Sequence, residues 1–398
     1  MAEQSHPPQA RRPVLRFAAA ALLGLALAGC ELVPKSRPEP PPQTVEAPPE
    51  RAEPDRSGPS LPPEETRNRV AVLVPLTGPN AGVGTSIANA ANLALLDTGG
   101  ERIRITVYDT AKGAQAAAAQ AIAEGNGLFL GPLLAEDVRA VAPVAARADV
   151  PVISFSNDAS VAGDGVYLLG FTPGQSIARV VAFASTRGAE SFAALVPEGI
   201  YGRRASQAMI EAVQRSEGRL VGMQSFDRGN AGLRAAVARL NAQGSYDAVL
   251  IGDSGRMGAT LAPMLRPGAP GARVLGTELW ATDADLGRTA ALRGAWYASP
   301  SDTMFNQLRT RYRSRYGASP YRLASLGYDG VLLAVRIAKD WRLGRVFPEG
   351  ELRDRGGFAG VDGAFRFGAS GIAERSLEVR EVTSTGTIIV SPAPREFD

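Results

Sequence analysis

The feature that most constrains this chain is a regular alternation of short apolar runs with helical segments, which begins at Arg69. Residues 69–75 form an apolar run of strand length, and residues 81–97 place small and apolar residues at helical spacing. Further strands are predicted at 103–109, 128–130 and 151–154, with helices at 114–124 and 135–148. Strands that alternate with helices pair in parallel and are covered on both faces, so the pattern predicts an α/β fold.

A second series of the same kind follows a break at Thr172-Pro173-Gly174. The strand predicted at 166–171 precedes this break and leads out of the first series. The strands of the second series are predicted at 192–196, 219–224, 248–251 and 274–275, with a return strand at 296–298, and its helices at 175–186, 202–217, 231–241 and 258–265. Two helices at 303–316 and 323–341 and a tail of strands and turns at 360–390 complete the chain. We therefore predict lobe 1 from residues 69–172 plus 299–345, lobe 2 from residues 173–298, and C-terminal strands near the hinge from residues 346–398.

Histidine and cysteine are almost absent, and this excludes several kinds of chemistry. The single histidine is His6 and the single cysteine is Cys30. Everything after Cys30 therefore lacks the groups for Ser-His-Asp or Cys-His catalysis, for zinc sites built on these residues and for a disulfide. The formal net charge is only +3 over 398 residues, which is too small a positive charge to indicate nucleic-acid binding. We predict a protein that is not an enzyme and that has no metal, cofactor or nucleic-acid partner.

The N-terminus has the pattern of an export signal. Arg11, Arg12 and Arg16 precede an apolar run at 17–28, which is too short for a membrane span of about 20 residues. Leu27-Ala28-Gly29-Cys30 resembles the bacterial lipobox, which implies a signal peptide at 1–29 and a lipid anchor on Cys30. The alternative is an ordinary signal peptide with an incidental cysteine. Glu31 at the next position favours the outer membrane over the inner membrane, with the protein facing the periplasm.

Residues 31–68 contain eleven prolines and few apolar residues, a composition that favours extended polyproline II backbone. At ~3.1 Å per residue, about 38 such residues reach on the order of 100 Å. Together with Cys30, this segment (30–68) is predicted to be a tether that presents the lobes at a distance from the membrane. A passive disordered spacer is the alternative interpretation.

Several motifs then occur in one order along the chain: 74–84 (VPLTGPNAGVG), 130–133 (LGPL), 151–157 (PVISFSN), 327–330 (GYDG) and 358–367 (FAGVDGAFRF). In this order they resemble the type I periplasmic-binding-fold proteins, over nearly all of residues 69–398. The resemblance implies a two-lobed α/β fold in which each lobe is a mostly parallel sheet flanked by helices.

Two subfamilies are similar to this chain. One comprises the branched-chain amino-acid receptors of ABC importers, and the other comprises lipoproteins of the LppC/LpoA type, which activate penicillin-binding proteins. The lipobox, the proline-rich segment and the first strand and loop favour the second. The best-known activator differs in having a helical-repeat domain where this chain has the predicted tether. The resemblance thus implies contact with a penicillin-binding protein, a peptidoglycan synthase; the alternative is an amino-acid receptor that delivers its ligand to an ABC permease.

In this fold a ligand lies between the lobes, at the carboxyl ends of the strands. The candidate residues there are Thr77, Gly78, Pro79, Asn80, Gly131, Ser154, Ser156, Asn157, Tyr201, Gly202, Asp253, Ser254 and Glu278. For an amino acid, Thr77, Ser156 and the amides of 78–80 would donate to the carboxylate, and Asp253 or Glu278 would accept from the ammonium group. Leu133-Leu134-Ala135 replaces the small hydroxyl residues of amino-acid-binding relatives. The alternative is that these are ordinary turn and cap residues.

Arginines and tyrosines are interleaved over residues 309–322, which include most of the helix predicted at 303–316. The arginines are Arg309, Arg311, Arg313, Arg315 and Arg322. We interpret this segment as a surface helix with a solvated arginine side, and a docking surface is the alternative.

Overall fold

The computed structural model describes residues 66–283, 285–394 and 397, which lie within one compact unit that extends from Gly58 to Asp398. The predicted signal peptide at 1–29, Cys30 and the predicted tether up to residue 65 lie outside the described residues.

The first lobe contains a sheet of five parallel strands. Its strands are β1 (Asn68–Val74), β2 (Ile103–Asp109), β3 (Asn126–Leu130), β4 (Val152–Ser154) and β5 (Val166–Leu168), in the order β2-β1-β3-β4-β5. The connecting helices are α1 (Ala81–Asp97), α2 (Ala114–Ala123) and α3 (Ala135–Arg147). Successive residues of β1 face opposite sides, so Val72 packs with α1 whereas Leu73 packs with α2 and α3. Both faces of the sheet are therefore buried.

The second lobe is built in the same way and then extended. Its helices are α4 (Pro173–Thr186), α5 (Ile200–Arg215), α6 (Asn230–Asn241) and α7 (Gly255–Leu265). Its parallel strands are β6 (Ser191–Pro197), β7 (Arg219–Phe226), β8 (Ala248–Ile251), β9 (Arg273–Gly276) and β10 (Trp296–Ser299), in the order β7-β6-β8-β9-β10. This order repeats that of the first sheet, so the predicted two-lobed α/β fold is confirmed.

The C-terminal part of the chain contributes to both lobes. Helices α8 (Asp302–Tyr316) and α9 (Ala324–Ile337) pack in the first-lobe core, as do the aromatic residues of the hairpin β11 (Phe365–Phe367) and β12 (Ala373–Arg375). Strands β13 (Glu378–Thr383) and β14 (Gly386–Ser391) instead continue the second sheet, antiparallel beside β10. The sequence predicted strands in this tail without assigning them to a lobe. Within the described residues the chain passes between the lobes after β5, after β10 and between β12 and β13.

In both lobes, the helix that follows the first strand makes the same close contact with the end of that strand. Gly84 in α1 lies against the carbonyl of Pro75, and Gly202 in α5 lies against the carbonyl of Pro197. A Cβ atom would lie 1.8 Å from the Pro75 oxygen and 1.6 Å from the Pro197 oxygen, which is too close for any side chain. The helix after the first strand of each lobe can therefore lie against that strand because the glycine has no side chain.

We predict that Gly84→Ala and Gly202→Ala each destabilise the protein by about 1–3 kcal/mol, because the clash is with backbone and forces the helix away from its strand. Chemical denaturation followed by circular dichroism measures the loss. Gly271→Ala is the matched control, since a Cβ there meets no atom within 4 Å, and it should change stability by less than about 0.5 kcal/mol. Equal effects at all three positions would contradict the explanation.

Candidate functional site

A cavity of about 450 Å³ lies between the lobes, at the carboxyl ends of the parallel strands. Its first-lobe walls come from the segments after β1, β3 and β4, and its second-lobe walls from the segments after β6 and β9. Most of the lining side chains are apolar: Val83, Leu133, Leu134, Phe155, Phe171, Leu279, Ala281, Pro300 and Leu323. The cavity is therefore shaped for an apolar group and has polar residues only at a few points.

Four of the predicted ligand residues line this cavity, namely Asn80, Asn157, Tyr201 and Glu278. The other nine lie outside the lining, and these are Thr77, Gly78, Pro79, Gly131, Ser154, Ser156, Gly202, Asp253 and Ser254. Two of the glycines have structural roles, since a Cβ at Gly131 or Gly202 would collide with a backbone carbonyl.

Three hydroxyl groups among the predicted cleft residues form hydrogen bonds within the protein. The Thr77 hydroxyl donates to Asp109 Oδ2 at 2.8 Å, and the buried Ser154 hydroxyl donates to the Pro132 carbonyl at 3.1 Å. Ser156 Oγ, also buried, accepts from the Asp158 amide at 3.1 Å. These side chains shape the loops at the strand ends, as turn and cap residues do.

Asp253, one of the two acids expected to bind an ammonium group, is also occupied. Its Oδ2 accepts from Arg228 Nε at 3.1 Å and lies 2.9 Å from Arg228 Nη2, and its Oδ1 accepts from the Ser254 amide. The Ser254 hydroxyl in turn accepts from the Met257 amide and caps α7. Asp253 and Ser254 thus stabilise the start of a helix.

Glu278 is the acid that does reach the cavity. Its carboxylate accepts from the Ser176 hydroxyl, and its Oε1 lies 3.1 Å from the Tyr201 hydroxyl, which is also 3.1 Å from Thr277 Oγ1. Burial raises the pKa of Glu278, although these hydrogen bonds oppose the shift. Burial and then the charge of Glu278 raise the pKa of Tyr201 well above its usual value. The pair is therefore a desolvated hydrogen-bonded unit rather than an exposed negative charge.

Arg322 is a lining residue whose place in the site was not predicted. The sequence pattern placed it in a solvated arginine run, and Arg309, Arg311, Arg313 and Arg315 are indeed exposed on α8. The Arg322 side chain is only 20% exposed, forms an ion pair with Asp362 and lies 4.1 Å above the Phe305 ring. Its charge is thus compensated inside the protein, because Asp362 is fully buried.

Arg322 and Asp362 belong to a buried cluster behind the cavity that also contains Asp329 and Arg375. We call these four residues the charge quartet. Asp329 Oδ1 accepts from the Val361 amide at 2.6 Å, and its Oδ2 lies 3.9 Å from Arg375 Nη1. Arg375 also donates to the Leu169 carbonyl at 2.6 Å. Burial, and next the charge of Asp362, raise the pKa of Asp329, while Arg375 opposes the shift. Asp329 and Asp362 belong to the GYDG and VDG motifs, so that pattern was the available indication of this cluster.

Neither a metal site nor a membrane-spanning helix is found in the part of the chain that the structure describes. No three His, Cys, Asp or Glu residues there are grouped so that they could hold a metal ion. No helix among the same residues is both long and apolar enough to cross a membrane.

A sequence profile described as periplasmic binding protein matches residues 68–387. An uncharacterized protein of Rickettsia prowazekii is 28% identical over 148 residues, which make up 37% of this chain and 40% of that protein. The chain therefore covers less than half the length of this curated relative.

Two solved structures have the same architecture. A putative branched-chain amino acid ABC transporter from Rhodospirillum rubrum superimposes with a TM-score of 0.71 at 20% identity, over 81% of this chain and 100% of the other. Full-length LpoA from Haemophilus influenzae superimposes with a TM-score of 0.65 at 19% identity, over 82% of this chain and 59% of LpoA. At these identities the similarity shows the fold alone.

The charge quartet predicts a specific pH dependence. Because the folded state raises the pKa of Asp329, the folded protein keeps a proton that the unfolded chain releases above its ordinary value of 3.8. The free energy of unfolding should therefore fall as the pH rises above about 4 through the folded pKa. Asp329→Asn has no titrating group at this position, so this contribution to the pH dependence is lost. The free energy of unfolding of the variant minus that of wild type should therefore rise with pH, by up to about 1.4 kcal/mol per pH unit.

Urea denaturation in steps between pH 4 and pH 8 measures this difference. Asp340→Asn, a change of the same charge at an exposed position, is the control and should follow the wild type at every pH. Parallel profiles for Asp329→Asn and wild type would contradict the assignment.

Proposed function

We propose that this chain, which belongs to the periplasmic binding protein family, is a non-catalytic lipoprotein of the cell envelope that activates a penicillin-binding protein by direct contact. The observation that carries the proposal is the state of the interlobe cleft. Two of the groups that would hold an amino acid, the Thr77 hydroxyl and Asp253, are paired within the protein, and the cavity itself is mainly apolar. A domain of this kind acts through its surface rather than by trapping a polar solute.

The chemistry of amino-acid binding explains why the cleft matters. A zwitterion needs donors for its carboxylate and an acid for its ammonium group, and a buried charge without such partners is costly. Arg322 and Glu278 are the lining residues of opposite charge, but Arg322 is paired with Asp362, and Glu278 accepts hydrogen bonds from Ser176 and Tyr201. A bound amino acid would have to break these contacts.

Two further points support the proposal. The predicted lipid anchor on Cys30 and the predicted tether fit a domain that reaches a membrane-bound synthase from the outer membrane on the periplasmic side. LpoA, whose type the sequence resembles, shares the fold at 82% coverage of this chain. The similarity spans 59% of LpoA, and the proposal assigns activation to the two-lobed domain.

Activation needs no catalytic group on this chain. If the domain binds the active conformation of the synthase tenfold more tightly than the inactive one, that preference shifts the equilibrium by about 1.4 kcal/mol. This activation requires only that the domain bind the active conformation of the synthase more tightly than the inactive one.

The test is glycan-strand synthesis by the penicillin-binding protein of the same cell, reconstituted in vesicles with the lipidated chain in the facing membrane. We expect faster synthesis with the full chain and loss of the acceleration when residues 35–60 are deleted, because the shortened tether no longer spans the gap. A scrambled 35–60 segment of the same composition should restore it. In detergent, where no gap exists, the deletion should be harmless. Failure of the intact chain to accelerate synthesis in either setting would contradict the proposal.

A receptor for an apolar solute is the second candidate, favoured by the cavity of about 450 Å³. Its lining suits the hydrocarbon part of a ligand better than an ammonium group. Leucine and its counterpart without the amino group, 4-methylpentanoate, form a matched pair of probes. A ligand present at 1,000 times its Kd stabilises the folded state by about 4 kcal/mol. A thermal-shift assay should then show a higher midpoint of thermal unfolding with 4-methylpentanoate and an unchanged midpoint with leucine.

Leu134→Trp is the control for this assay, because Leu134 lines the cavity and a larger side chain fills it. The variant should lose any shift with 4-methylpentanoate and should still accelerate the synthase. A shift with leucine that disappears in Leu134→Trp would instead support an amino-acid receptor.

A further inference from the structure

One ion pair joins the lobes across the mouth of the cleft. Asp158 follows β4 in the first lobe, and Arg204 lies in the first turns of α5 in the second lobe. Arg204 Nη2 is 2.5 Å from Asp158 Oδ2, and Arg204 Nη1 lies 3.3 Å from Asn157 Oδ1. The side chains of Arg204 and Asp158 are 23% and 4% exposed. Water and salt therefore screen this pair less than an ordinary surface ion pair.

Asp158 is held in position by a relay of hydrogen bonds along its loop. Ser154 donates to the Pro132 carbonyl and accepts from the Ser156 amide, and Ser156 accepts from the Asp158 amide. Asp158 Oδ1 then accepts from both the amide and the hydroxyl of Ser160, at 3.0 and 2.7 Å. Serines at a position where a ligand was expected thus aim a carboxylate at the opposite lobe.

The charges around Asp158 keep it ionised. Arg139 from α3 lies 2.8 Å from the same Oδ2 atom, but Arg139 belongs to the first lobe. Burial opposes ionisation, yet the hydrogen bonds of Ser160 and the charges of Arg139 and Arg204 hold the pKa of Asp158 below its usual value. Arg139 pairs with the Asp158 carboxylate from within the first lobe, whereas Arg204 pairs with the same carboxylate from the second lobe.

We infer that Arg204, Asp158 and Asn157 form a latch that holds the two lobes closed over the cavity with the protein's own side chains. In a domain closed by its ligand, bridging contacts come from the ligand itself, and closure is lost without it. Here the bridging contact is built in, so closure does not require a ligand. Other interlobe contacts, such as Arg380 with Asp302 at 2.6 Å, lie where the chain crosses between lobes, and a hinge motion can preserve contacts there.

The latch has a consequence under either proposed function. For an activator, it makes the two-lobed domain a rigid body whose docking surface is formed before the partner arrives. For a receptor, it sets an opening step before any solute enters. The latch is expected whichever partner or ligand the protein has.

The experiment measures the distance between the lobes by double electron–electron resonance. The chain from Glu31 onward keeps the whole compact unit and has no cysteine, since Cys30 is the single one. Spin labels at Gln115→Cys on α2 and Gln214→Cys on α5, both exposed, report on opening. We expect one narrow distance in this otherwise wild-type chain, and a longer, broader distribution that shifts by several ångströms in Arg204→Ala.

Arg139→Ala is the matched control, because it removes the same charge from the same carboxylate without touching the other lobe. It should leave the narrow distance unchanged, and Arg204→Lys should restore part of the closed population. Thermal melts that match the wild type exclude unfolding as the cause. The latch is contradicted if Arg204→Ala keeps the wild-type distance, if Arg139→Ala opens the lobes equally, or if the wild-type chain already gives the broad distribution.

Discussion

Each parallel sheet in this protein must be covered on both faces, and the rest of the structure follows from that requirement. Helices on the two faces return the chain to the same end of every strand, so the segments that leave the strands gather at one edge. Two such edges meet between the lobes and form the cavity. The glycine contacts at Gly84 and Gly202 allow the helix after the first strand of each lobe to begin directly beside that strand. The position of the cleft therefore follows from how the helices and sheets pack, whatever the cleft binds.

What the cleft does depends on where its polar groups form their bonds. Hydroxyls and acids occur at the strand ends, as the fold requires for turns and caps, and here they bond to neighbouring protein groups. Ser154 and Ser156 support the loop of Asp158, and Asp253 supports the start of α7. Behind the cavity, the charge quartet neutralises Arg322. These arrangements leave a cavity whose lining is mainly apolar.

Much of the fold was accessible from the sequence because it depends on local periodicity. The helix over 81–97 and the strands over 103–109 and 248–251 have the predicted bounds. The lobe of the tail strands was harder to predict, because β13 joins the second sheet by pairing with β10, about 80 residues earlier, and β14 then pairs with β13. For the cleft, sequence position identified the segments that line it. It did not separate Glu278, which reaches the cavity, from Asp253, which bonds to Arg228.

The sequence by itself determined the alternation of strands and helices, the glycines at close contacts and the absence of thiol and imidazole chemistry after Cys30. Those features depend on residue type and spacing, which the chain carries directly. Only the tertiary structure decided that Arg204 meets Asp158, that Arg322 meets Asp362 and that Asp329 lies near Arg375. These pairs join residues tens of positions apart, and the partner of a charged side chain is set by how the lobes and the tail pack.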